Sequence, residues 1–416
     1  MTEPVPQGQR PELRKTGERR VTFLPEPEPR PRRYTVISVD DHLVEPPEMF
    51  EGRVPARFAD RAPRVIELDD GTQRWDYDGR HIPNVGLNAA VGRPPAELSS
   101  EPTRFDEMRK GAWDIDARIA DMDIAGVYAS LNFPSMLAGF AGQRLAQNPD
   151  QELAFAVFRA YNDWHLEAWA GPYPDRIIPC QLPWLSDPVV AAEEIRRNAE
   201  RGFKAVTFSE NPERLGYPSV HTTHWDPFFA ACEETGTPVC LHIGSSSGTV
   251  SASTDAPFDE IGFLFFANAI VTAADWLYAK IPVRFPDLKL VLSEGGIGWL
   301  PGFIDRLEHT ARYQDFTDHW KGVDKPLVDL FLDSFRFCTI EDPTSFAVLD
   351  RIGVDRVMVE MDYPHVDSTW PDVQPVLAHQ LAGLPDDVVR KVTWENASRL
   401  FRHPVPAGVA GTAAPG

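Results

Sequence analysis

The chain has 416 residues, 43% of them hydrophobic and 25% charged, an ordinary globular composition that can bury a large core without disulfide or metal staples. Asp and Glu number 62 against 41 Lys and Arg, and the formal net charge of −21 excludes the basic footprint that nucleic acids and anionic membranes require. Cys180, Cys232, Cys240 and Cys338 form no C-x-x-C pair, no apolar run is long enough to span a bilayer, and no apolar h-region follows the start. The expectation is a cytoplasmic protein with no nucleic-acid or membrane partner.

Residues 1–33 hold seven prolines and eight Lys or Arg, so they are read as a disordered or extended arm. From residue 34 to 403 short apolar runs alternate with helical periodicity. The runs are Thr35–Asp40, Ile124–Phe133, Arg176–Leu182, Lys204–Glu210, Pro238–Gly244, Lys289–Glu294, Phe335–Ile340 and Arg356–Asp362. Amphipathic helices fit between them over Asp150–Ala170, Val189–Arg201, Pro227–Glu234 and Trp299–Tyr313. Eight strands alternating with helices predict an α/β fold, a closed (β/α)₈ TIM barrel. Residues 49–113 are too long for a βα loop and are expected to be an insertion over the barrel mouth, with small strands at Val65–Leu68 and Arg74–Tyr77. Residues 404–416, rich in Pro, Gly and Ala, read as a flexible tail.

Catalytic groups in such barrels sit at the C-terminal ends of the strands. Here the strand ends carry Asp40-Asp41-His42, Glu210, His242, Glu294 and Asp362. Residues two apart on a strand share a face, so Asp40 and His42 can both point into the mouth. His242 lies in Val-Cys-Leu-His-Ile, where an isolated imidazole is costly unless something satisfies it. Imidazoles and carboxylates converging on one point suit Zn²⁺ or a similar divalent ion.

Val39-Asp-Asp-His-Leu-Val-Glu-Pro46, Leu241-His-Ile243, Ser293-Glu-Gly-Gly296 and Met361-Asp-Tyr-Pro-His365, in that order, resemble the motifs of the amidohydrolase-related family. This is the branch that includes aminocarboxymuconate semialdehyde decarboxylase-like and resorcylate decarboxylase-like enzymes. The resemblance runs from about Tyr34 to about Phe401 and implies a distorted TIM barrel with one divalent metal, commonly as a homodimer. It assigns Asp40, His42, His242 and Asp362 as ligands, with Zn²⁺ favoured and Mn²⁺ the alternative because a carboxylate stands where the family's first histidine is. It also marks a departure: the decarboxylases carry a histidine before the Gly-Gly pair, where this chain has Glu294. A glutamate replaces an imidazolium only if its pKa is raised.

That departure favours metal-dependent hydrolysis of a C–N bond in a small or peptide-like substrate, with a place in secondary metabolism, or its reverse, a condensation. The ion would activate water and polarise the carbon under attack. Asp362 would pass the proton to the leaving nitrogen, and Glu294, with Glu210 or His365, would orient substrate or share the transfer. The alternative is a non-oxidative decarboxylase, a carboxy-lyase of an aromatic or enoic acid. Glu360, two before Asp362, is read as holding a ligand histidine or pairing with an arginine. His221 and His224 are assigned to the start of a helix with Asp226 as its N-cap, and the remaining histidines to surface or packing.

Overall fold

The computed structural model describes residues 21–82, 84–98, 101–313 and 316–410. β1 (Ile37–His42) opens the domain and is buried along its whole length. The insertion follows, with β2 (Arg64–Glu67), β3 (Gln73–Tyr77) and β4 (Arg80–Ile82) forming an antiparallel sheet. Trp75 buries this sheet edge-to-face on Phe50, with ring centroids 6.3 Å apart. The remaining strands are β5 (Ala129–Phe133), β6 (Ile177–Ile178), β7 (Cys180–Gln181), β8 (Ala205–Ser209), β9 (Val239–His242), β10 (Leu290–Ser293), β11 (Phe335–Thr339) and β12 (Val357–Val359).

These strands pair in parallel in the orders β1-β5-β6 and β7-β8-β9-β10-β11-β12. β6 and β7 are one barrel strand divided at Pro179, which has no N–H for the ladder, although its carbonyl still accepts from Lys204 N. The ring closes past β12, where Asp362 N donates to Asp40 O at 2.9 Å and His42 N to Tyr363 O at 2.7 Å. The predicted eight strands are present, and the helices Gln151–Trp164, Pro188–Arg201, Asp226–Thr235 and Leu300–Tyr313 run between them. Asp150 and Asp187 cap the first two, accepting from Leu153 N and Val189 N. Asp226, expected as the cap of the third, is instead its first helical residue, and its carboxylate pairs with Arg284.

The pleat sorts the side chains. Ile37, Val39, Ala129, Leu131, Phe133, Cys240, Val291, Cys338 and Met358 fill the barrel interior. Val206, Phe208, Leu241, Leu292 and Phe337 face outward and pack with the helices in the larger core. No helix among the described residues is long and apolar enough to cross a membrane.

Residues outside the barrel are tied to it by backbone hydrogen bonds. Val44 N donates to Ala112 O and Val91 N to Pro364 O, which brings the insertion against the loops after β1 and β12. Residues 21–33 run as extended chain, with Leu24 N on Gly92 O and Arg30 N on Ile124 O; residues 1–20 of the expected arm lie outside the described residues. At the other end Thr35 Oγ1 donates to Val409 O at 2.7 Å.

One polar knot links these parts. Arg109 places Nε and Nη2 on the two oxygens of Asp121 at 3.1 and 2.5 Å, and reaches Glu26 of the extended segment at 2.8 and 3.0 Å. Tyr363, next to Asp362, donates its hydroxyl to Asp121. Arg109 keeps only 12% side-chain exposure and Asp121 5%. Asp121→Ala should lower stability by roughly 2–4 kcal/mol, because it leaves a buried phenol without its acceptor and a largely buried guanidinium with only the exposed Glu26 as its partner. Glu26→Ala, on the exposed side of the same arginine, should cost less than about 1 kcal/mol. Denaturant midpoints of the two variants check the difference.

Candidate metal centre

The site forms where β1, β9, β10 and β12 end. If β1 kept its alternation after Ile37 and Val39, it would send Asp41 inward and turn Asp40 and His42 out. Its pairing with β5 slips between Ser38 and Asp41, a bulge that adds one residue and reverses the faces. Asp40 and His42 therefore join the inward set, and Asp41 turns to Ser38, Ser130 and Tyr363 N. His242 reaches the same space without a bulge, sharing its face with Cys240. Asp362 follows β12 in a left-handed backbone conformation, φ +55°, as does Glu294 after β10, φ +59°.

His42 Nε2 lies 3.0 Å from His242 Nε2, and Asp40 Oδ1 lies 3.5 and 3.4 Å from these two atoms. Asp362 Oδ1 is 3.5 Å from His42 Nε2 and 2.9 Å from His365 Nδ1, and Glu294 Oε2 is 3.3 Å from His242 Nε2. His42 Nδ1 faces Pro134 O at 3.3 Å and His242 Nδ1 faces Ile243 O at 2.6 Å. A carbonyl can only accept, so each Nδ1 carries a proton, and the two Nε2 atoms are left facing each other. Two bare lone pairs at that distance repel unless a proton or a metal cation lies between them.

The carboxylates make the same point. Asp40, His42, His242 and Asp362 are fully buried, and among the described residues none of the four oxygens of Asp40 and Asp362 has a hydrogen-bond partner of normal geometry. Buried carboxylates left bare are costly, and a divalent ion offsets that cost. Two imidazoles whose far nitrogens rest on carbonyls, with two open carboxylates, fit such an ion. In the protein alone, burial pushes the carboxyls of Asp40, Asp362 and Glu294 upward. Burial holds His42 well below the usual imidazole range. It opposes protonation of His242 as well, but Asp40 and Glu294 overcome it and raise that ring to about 9. Such opposed shifts within one cluster mark a functional site.

Other residues singled out in the sequence fall elsewhere. His365 stacks on His42 at 4.0 Å between ring centroids and joins the cluster. Glu210 does not. Thr207 and Ser209 share the inward face of β8, so the next residue turns outward, and Glu210 accepts from Gly244 N and Ser246 Oγ, both at 2.9 Å. It braces the loop that follows His242. Among the described residues the Glu360 carboxyl bonds neither to His42 or His242 nor to an arginine; it accepts the backbone N–H of Glu294 at 3.2 Å. His221 pairs with Asp275, and His224 packs edge-on against Trp225.

Two residues at the site had no signal in the sequence. Phe140 lies against both facing histidines, with centroids 4.8 and 4.3 Å away, yet it comes from a glycine-flanked loop without periodicity. Asp367 offers a carboxylate oxygen within 4.8 Å of those of Glu294 and Asp362, from the turn after the Tyr363-Pro364 pair.

A family model described as amidohydrolase matches residues 56–403. The chain belongs to the amidohydrolase family. The matched span holds His242, Glu294 and Asp362 and begins after β1. Solved structures share the fold over nearly the whole chain. An amidohydrolase from Mycobacterium avium subsp. paratuberculosis K-10 is 24% identical, with 88% of this chain and 99% of that one covered at a TM-score of 0.69. A dihydroxybenzoic acid decarboxylase from Polaromonas sp. JS666, with bound manganese and 2-nitroresorcinol, is 19% identical over 89% and 97% at 0.62. A 5-carboxyvanillate decarboxylase from Novosphingobium aromaticivorans DSM 12444, complexed with manganese and 4-hydroxy-3-methoxy-5-nitrobenzoic acid, is 21% identical over 90% and 98%, also at 0.62.

This amidohydrolase-family protein, purified without chelators, should carry about one divalent ion per chain by elemental analysis. His242→Ala should lose it while the barrel stays folded, since this ring adds little to a core of this size. Wild-type protein that binds no Zn²⁺ or Mn²⁺, and whose thermal midpoint does not move when either is added, would remove the site.

Proposed function

We propose that the chain is a divalent-metal-dependent, non-oxidative decarboxylase of a small aromatic or enoic acid. The observation that carries the reading is Glu294. It occupies the β10 end, faces His242 at 3.3 Å, and keeps 14% side-chain exposure toward the mouth. Burial, aided by the nearby Asp367 and Asp40 charges and opposed by His242, pushes its carboxyl well above the usual carboxylate range. That meets the condition on which a glutamate can do an imidazolium's work there. The likeness to two decarboxylases over almost their entire lengths supports the same class.

A bound divalent ion would supply positive charge to hold the substrate's oxygens and stabilise the electron-rich transition state. Asp40, His42, His242 and Asp362 would hold it, and the two carboxylates favour Mn²⁺ over the Zn²⁺ expected from the sequence. Phe140 and His365 offer flat faces beside the cluster for a planar substrate. Glu294 delivers its proton to the carbon bearing the carboxylate. The bond from that carbon to the carboxylate then breaks, its electron pair returns to the conjugated system, and carbon dioxide leaves. Solvent reprotonates Glu294, so the balance is one acid anion and one proton giving the carboxyl-free product and carbon dioxide.

A second reading, hydrolysis of a C–N bond, is favoured by the same replacement of histidine by Glu294, because an ionised glutamate there would accept a proton from water. The products separate the two. On a panel of phenolic and enoic acids with amides and amidines, the proposal expects carbon dioxide release and no ammonia or amine. Glu294→Gln should lower kcat by about 10²–10⁴-fold with metal content unchanged. Turnover of an amide or amidine to amine and acid, without carbon dioxide, would establish the hydrolase instead.

A further inference from the structure

Glu294 sits at φ +59°, a conformation that glycine adopts freely and a glutamate does not. Something must hold it there, and the surrounding contacts show what does. The N–H of Glu294 donates to Glu360 Oε2 at 3.2 Å. Three residues on, Ile297 N donates to Asp342 Oδ2 at 3.0 Å, and Trp299 Nε1 donates to the carbonyls of Gly295 and Gly296 at 3.0 and 3.1 Å. Asp342 is itself fixed by Thr339 Oγ1 at 2.7 Å and by its own N–H on Gln380 Oε1 at 2.9 Å. Gly296, at φ +62°, allows this approach, since a Cβ there would meet Asp342 Oδ2 at 3.1 Å. The turn carrying Glu294 is thus gripped by side chains from the ends of β11 and β12 rather than by its own ladder.

We propose that Glu360 and Asp342 are positioning residues, which hold the backbone of Glu294 in its left-handed turn so that its carboxyl faces His242. Neither reaches the cluster of Asp40, His42, His242 and Asp362 through a hydrogen bond. Glu360 is an expensive anchor: it is 5% exposed, and its polar carboxyl is buried beside those of Asp40 and Glu294. An apolar residue would fill that interior place more cheaply but could not accept the Glu294 N–H. Glutamine could.

The test uses metal-loaded full-length protein. Glu360→Leu and Glu360→Gln are made in the wild type and in Glu294→Gln, with Asp342→Ala as a second way to free the turn. Hydrogen exchange over residues 290–300 should quicken about tenfold or more in Glu360→Leu and Asp342→Ala, and stay near wild type in Glu360→Gln. On whichever panel compound is turned over, Glu360→Leu should lower kcat about 10–100-fold at unchanged KM and metal content. The same change in Glu294→Gln should cost almost nothing more, because its route of action is already gone. Unchanged exchange in both Glu360→Leu and Asp342→Ala overturns the proposal, as does an equal kcat loss in the two backgrounds. The kinetic arm rests on the role given to Glu294 under the proposed function, and the exchange arm does not. A panel with no turnover therefore counts against that function and leaves exchange to decide the positioning; if Glu360→Leu fails to fold, Asp342→Ala decides it.

Discussion

Two imidazole nitrogens stand 3.0 Å apart, each ring's other nitrogen resting on a backbone carbonyl, with two open carboxylates around them. Facing lone pairs and buried carboxyl groups are unfavourable together unless a cation or a proton lies among them, because burial removes most of the water that would screen them. A divalent cation turns each of those unfavourable terms into an attraction. Much of the surrounding architecture is understandable as the means of holding four such side chains in place before an ion arrives.

That means is spread over the barrel. The bulge in β1 sets which of its acidic and imidazole side chains look inward, and Asp41, the one turned away, secures β1 to β5 and to the start of the Tyr363 turn. Tyr363 leads onward to Asp121 and Arg109, so the turn that carries Asp362 is anchored in the same polar knot as the extended residues near the amino terminus. Glu210 anchors the loop after His242, and Glu360 with Asp342 anchors the turn of Glu294. Three loops at the mouth are therefore held by carboxyl groups accepting backbone N–H groups.

The large negative charge of the chain has a local counterpart in this mouth. Asp40, Asp362, Glu294, Glu360 and Asp367 lie close together, and burial favours the neutral forms of the first four. A site of this kind can hold a cation and a proton at once, the first on the deep carboxylates and the second on the one nearest the mouth. Acid catalysis on a carboxylate substrate needs both.

Much of this was legible in the residues. Alternating apolar runs and helical stretches determine an eight-stranded α/β barrel, because strands buried on both faces must be apolar throughout and parallel strands need crossovers. The motifs around Asp40, His42, His242, Glu294 and Asp362 mark the strand ends where polar residues interrupt that rule. What sequence spacing could not decide was direction. A slip of one residue turned Asp40 and His42 inward, although plain alternation from Val39 would have sent them out, and ordinary alternation sent Glu210 away from the cluster it was expected to join. Phe140, Asp367 and Asp342 act from loops, where no period links position in the chain to position in space. The upward shift of the Glu294 carboxyl was likewise beyond the sequence, because a carboxyl's pKa depends on the water it loses and the charges it meets, and only the closed barrel sets both.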